Sequence, residues 1–331
     1  MEIRFLANVI DQLDFALDHI SLQDTNYKRL ALMLIDNAVE LALHQHAEES
    51  KRWEWDARDN SPEHKKAVSE ALGQRFDSKV KFGRISGLIG EETAQSINTL
   101  HSYRNQLYHQ GVMYEGILHA LAVFYFRIAC NLLAALPIRG FSWSSNHRIP
   151  LRAIKYIGNP RFPDPRKMFP LVWARLKEVS EGIKFDLVAD LHAALTELTE
   201  ETDRLLNYLA EGHPEKPSRD ELVRDAQAWR IAFTDEGKRF ASTHSCREET
   251  VGGYVKWLGQ NYSFAFRNDP VPGWKERLAS FGRERDPHAA LRKYQEFVNQ
   301  TQSVREAVEA SVASLDAEID RQIDAAREGR V

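Results

Sequence analysis

The sequence predicts an all-α protein, and three features predict it. Apolar residues recur at intervals of three and four over long stretches, as on one face of a helix. Alternation of apolar and polar residues, the mark of a half-buried strand, is not sustained anywhere. The long apolar-periodic stretches also end at helix stops, Gly111 and Pro137 among them.

The first element runs over 4–20, where Phe5, Leu6, Val9, Ile10, Leu13, Leu17 and Ile20 share a helical face. Thr25 is a candidate N-cap for a second helix reaching about residue 50. Its middle, "LALMLIDNAVELALHQH", is apolar almost all round, so several sides of it need cover. Residues 51–90 mix a loop with one or two short helices. A third long helix starts near Glu91 and ends at Gly111, and a fourth runs from about Tyr114 to Leu136. That fourth stretch is apolar enough to suggest a membrane span. His119, Arg127 and Asn131 recur along it, however, and polar groups are costly in lipid, so it reads as a buried or interface helix.

Residues 138–168 change character. Prolines are dense, and seven basic residues stand against Asp164 alone, a local charge of +6 in a chain whose net charge is −4. We read 138–170 as a basic, proline-rich linker between a helical domain (1–137) and a second helical domain (171–331). In the latter, 171–209 is periodic, 212–221 is a loop, and Ser218 with Glu221 forms a capping-box pattern for a helix over 219–245. A last helix runs from Pro287 to about Arg327. Its Val308, Val312, Leu315 and Ile319 are spaced in a heptad-like way that asks for a long partner.

Length agrees with two domains, and the acidic balance gives no global sign of nucleic-acid binding. Cys130 and Cys246 are far apart, which fits reduced thiols and a cytoplasmic setting and provides no cysteine-based metal site. The N-terminus carries no signal-peptide pattern.

The stretch "YRNQLYHQG" (103–111) is unusual for a helix. At about 100° per residue, Arg104 falls among Ile97, Leu100 and Leu107, inside the apolar stripe. A guanidinium there must be paired or used, because burying it alone costs several kcal/mol. His101, Asn105 and His109 form a polar ridge along one edge of the stripe. His109 precedes the glycine stop, where the helix dipole favours an imidazolium. The plainer reading has Arg104 salt-bridged to Asp36 or Glu40 of the second helix and His109 solvated. A shared zinc is unsuited to the spacing: eight residues separate His101 from His109, roughly 12 Å along a straight helix.

Arg104-Asn105-Gln106-Leu107-Tyr108-His109 resembles the Arg-X4–6-His motif of HEPN domains, in the form with Asn directly after Arg. The run around Ala38-Val39-Glu40-Leu41 is similar to that family's second helix, and a four-helix up-and-down bundle over 1–137 fits it. The resemblance covers the N-terminal part only. It implies a metal-independent, cofactor-free endoribonuclease acting as a homodimer whose 91–110 helices face each other, in a toxin, anti-phage or stress role. Within it, His109 is the acid or base, Arg104 clamps the scissile phosphate and Asn105 orients the His109 ring or the phosphate. Tyr108 and His101 are secondary candidates to line the cleft, and Asp36 and Glu40 to support Arg104. One toxin subgroup carries a tyrosine two residues after the histidine; Gly111 stands there in this chain. RNA is the implied partner, with Arg148, Arg152 and Lys155 of the basic segment as candidates for backbone contact. The C-terminal part is left to a regulatory protein or ligand. Two other readings stay open: a HEPN-type module that binds RNA or a nucleotide without cutting it, and a helical interaction scaffold.

Overall fold

A computed structural model describes residues 3–22, 24–53, 61–110, 115–138, 149–158, 164–212 and 215–329, without the side chains of 106–110 and 165–166. The described residues form fourteen α-helices and no strand, which agrees with the all-α class expected from the sequence. They divide into two compact units, Met1–Leu191 with Arg285–Arg292, and His192–Glu284 with Lys293–Val331.

In the first unit α1 (Ile3–Ser21) packs along α2 (Thr25–Arg52). Asp24, rather than Thr25, caps α2, accepting from the Asn26 backbone N–H at 2.7 Å. The short helices α3 (Pro62–Ala71) and α4 (Phe76–Ile85) pair with each other and lie on α2, followed by α5 (Glu91–Gln110). After a 3₁₀ turn at Glu115–Ile117 comes α6 (Leu118–Ala135). The core is built from the inward stripes of these helices, including Leu6, Ile10, Leu13, Ile35, Phe82, Ile97, Leu121 and Phe126.

By length and composition α6 is apolar enough to cross a membrane, yet most of it is buried within this unit. Its polar groups are used locally: His119 Nε2 donates to the Lys184 carbonyl and Arg127 to that of Ser180. Cys130 is buried on the same helix, and burial pushes its thiol up to about 12, which leaves it unreactive.

The described residues of the segment read as a linker, 138, 149–158 and 164–170, belong to the first unit. Its residues 151–157 form α7 (Leu151–Ile157), which packs on α1, and α8 (Pro165–Glu181) packs on α6. The division between units falls at Leu191, inside α9 (Leu187–Gly212). Prolines punctuate the ends of these helices, which is why the stretch resembled a linker.

In the second unit the reading of one helix over 219–245 is corrected: α10 (Arg219–Ala232) and α11 (Asp235–Thr243) are separated at Thr234, which caps the latter. The Ser218–Glu221 capping box is present. With α12 (Val251–Asn261), these helices bury Ala228, Ala232, Val255 and Leu258 beside Phe240 and Trp257. Helix α13 (Val271–Phe281) sets Trp274 edge-on against Phe297 of α14 (Pro287–Arg327). The sharp α10–α11 turn leaves no room at Gly237, where a Cβ would run into the Ile231 carbonyl oxygen. Gly237→Ala should therefore lower stability by about 1–3 kcal/mol. Gly252→Ala, at a site open within 4 Å, should be neutral or better in the same urea titration.

Candidate functional site

Asp36 lies on the inner face of α2 and is wholly buried. Its carboxylate gathers three groups. The Tyr125 hydroxyl of α6 donates to it at 2.8 Å. His101 Nδ1 of α5 lies 3.0 and 3.1 Å from its two oxygens. The Arg104 guanidinium, also on α5, forms an ion pair with it through Nε at 3.1 Å. Arg104 Nη1 in turn donates to Asn105 Oδ1 at 2.8 Å. The His101 ring stacks on Phe76, with centroids 3.6 Å apart and planes 4° from parallel.

The local reasons are visible in the chain. Ile97 and Leu100 are fully buried and turn their stripe of α5 inward, so Arg104, one turn on, points to α2. An arginine so placed needs an acidic partner, and Asp36 is at that level. The arginine side chain is still 31% exposed, so the ion pair with buried Asp36 does not remove it from solvent. Burial, with the Asp36 charge beside it, pushes the Tyr125 hydroxyl well above the usual tyrosine range and keeps it a proton donor.

Two alternatives that spacing left open are decided here. Asp36 supports Arg104. Glu40 does not: it pairs with Lys79 of α4 at 3.1 Å, and that nearly buried ammonium also donates to the Gly73 carbonyl. His101 joins the same carboxylate as Arg104, so it holds the cluster together. Tyr108 and His109 fall among the residues whose side chains are not described, and Arg148 and Gly111 lie outside the described residues. Tyr125 and Phe76 were missed by sequence reasoning. A tyrosine in the middle of a helix as apolar as α6 was a usable signal, because a buried hydroxyl needs a partner.

Of the residues named for RNA contact, Arg152 and Lys155 are held by carboxylates of α1. Both reach Asp14 of α1 at 2.8 Å, and Tyr156 donates to the other Asp14 oxygen at 2.6 Å. Arg152 also meets Asp18 at 2.5 Å and lies over the Phe15 ring. Two cations and two carboxylates leave this cluster neutral, so it is a clamp between α1 and α7. Burial raises the Asp14 carboxyl, but hydrogen bonds from Lys155, Tyr156 and Arg152 outweigh it and hold it below the ordinary aspartate range. A carboxyl so depressed adds stability above its unfolded pKa and loses it as pH falls through the folded value. Stability should therefore drop on acidification below about pH 4. Asp14→Asn should be less stable at neutral pH and should flatten that acid limb, as measured by urea midpoints across the pH range.

Among the described residues no three His, Cys, Asp or Glu side chains converge as a metal site. The fold and this centre define the chain as a two-unit, all-helical protein with a carboxylate-anchored arginine between α2 and α5. Comparison with known protein families, with characterised proteins and with solved structures returns no match.

Proposed function

We propose that the first unit is a metal-independent endoribonuclease of HEPN type, acting in the cytoplasm as a homodimer through the 91–110 helix. The observation that carries the reading is Arg104, ion-paired to the buried Asp36 while 31% of its side chain stays exposed.

The chemistry needs few parts. RNA supplies its own nucleophile, the 2′-hydroxyl. The protein must remove that proton, give one to the 5′-oxygen that leaves, and stabilise charge on the phosphorane-like transition state. His109 serves as the acid or base, and Arg104 presents its guanidinium to the phosphate. Asn105, which accepts from Arg104, holds that group in plane. Asp36 offsets the charge of its own Arg104, so a single chain brings little net positive charge to a phosphate. A second copy across a two-fold axis supplies another guanidinium and imidazole, which supports a site shared between two chains.

The same Asp36 ion pair also suits a purely structural arginine, and the assay separates the two. Purified protein is incubated with labelled RNA in EDTA, and the product ends are analysed. The proposal expects cleavage leaving 2′,3′-cyclic phosphate or 3′-phosphate ends, with DNA untouched. Saturable RNA binding without cleavage would place the chain with the non-cutting modules, and neither binding nor cleavage would end the reading.

A further inference from the structure

The second unit has a groove of about 1120 Å³ between α10 and the last turns of α14. Its floor on α14 is Ala307, Ala310, Ser311 and Ser314, small side chains one turn apart. One wall is Trp229, 49% exposed; the exposed Phe233, which caps the C-terminus of α10 outside the groove lining, has its ring centroid 6.1 Å away. Leu315 and Ile319 lie toward the far end. An exposed tryptophan above a floor of small residues is an arrangement in which buried anchors of a partner contribute most.

Charge identifies the partner. The carboxylates lining the groove are Glu215, Asp225, Glu306 and Glu318, against Arg230 and Arg321. Arg230 pairs with Glu306 at 2.5 Å and Arg321 with Glu318 at 2.8 Å, so these four cancel, and Glu215 and Asp225 leave the lining at −2, four carboxylates less two guanidinium groups. From Glu306 to Asp324, α14 carries six acidic residues and one basic residue. Such a rim repels RNA and anionic lipid. It also opposes pairing with α14 of a second copy, which would set acid against acid. The stretch of α14 that lines the groove, 306–322, rises about 24 Å, the length of four to five helical turns.

We propose that this groove docks an amphipathic helix of a partner protein, with an apolar ridge flanked by lysine and arginine. The ridge seats against Trp229 and the small residues of α14, and the basic flanks meet the acidic rim. The inference is independent of what the first unit does to RNA.

The test uses a fluorescein-labelled synthetic helix of about 18 residues, with leucine at i, i+3, i+4 and i+7 and lysine at most other positions. Saturable binding to the full chain is expected. Trp229→Ala and Ser314→Arg should each weaken it roughly tenfold or more, as should exchanging the peptide's lysines for glutamates. Both substituted positions are exposed, and unchanged circular dichroism would verify that the variants fold. The proposal is overturned by absence of saturable binding, or by binding that neither variant alters. It is also overturned by concentration-dependent self-association that Ser314→Arg abolishes, which would give the groove to a second copy.

Discussion

Asp36→Ala is expected to lower the free energy of unfolding by about 3–5 kcal/mol, enough to leave a marginal domain largely unfolded. The carboxylate is fully buried and serves Tyr125, His101 and Arg104 together. Alanine strands a hydroxyl, a ring N–H and a guanidinium at once. Each loses a partner it cannot replace with water where it is buried, and an unpaired buried polar group costs about 1–3 kcal/mol, more when charged. Half-exposed Arg104 can turn outward and recover some solvation, which holds the sum below simple addition. Asp36→Asn keeps one acceptor and should lose less. Urea unfolding of the two variants beside Tyr125→Phe checks this. If Asp36→Ala unfolds within about 1 kcal/mol of the wild type, Asp36 is not the anchor of the α2–α5–α6 packing.

Arg104→Ala and His109→Ala are each expected to reduce RNA cleavage by about a hundredfold to ten-thousandfold. Arg104→Lys should not restore it. An ammonium is a point charge without the fork that lets one nitrogen face Asp36 while others face a phosphate. The measurement is the single-turnover rate on labelled RNA in EDTA, with folding and oligomeric state verified for each variant. Arg104→Ala also removes a buried ion-pair partner, so lost activity with lost folding would be uninformative by itself. His109→Ala, near the C-terminal end of α5, serves as the second arm. Folded variants that cut RNA at the wild-type rate would remove both residues from the reaction.

Much of the architecture was legible in the chain. Helices α1, α2, α5, α6 and α14 are long and strongly periodic, and both the capping box at Ser218 and Pro287 at the start of α14 followed from local chemistry. The need for a partner at Arg104 was legible too, since a charge inside an apolar stripe is a physical contradiction until it is paired. Helix α7 was not legible, because it is only seven residues long and lies between Pro150 and Gly158, both of which read as loop.

The sequence by itself determined the all-α class, the positions of the longest helices and the demand for a carboxylate opposite Arg104. Only the tertiary structure decided which carboxylate answers it, because Asp36 and Glu40 are one turn apart on the same side of α2 and only the approach of α4 gives Glu40 to Lys79. It likewise decided that Arg152 and Lys155 neutralise Asp14, more than 130 positions away in the chain. Periodicity and capping act between neighbours in sequence and can be read there. Ion pairing acts through space, and its partners are fixed only once the helices have packed.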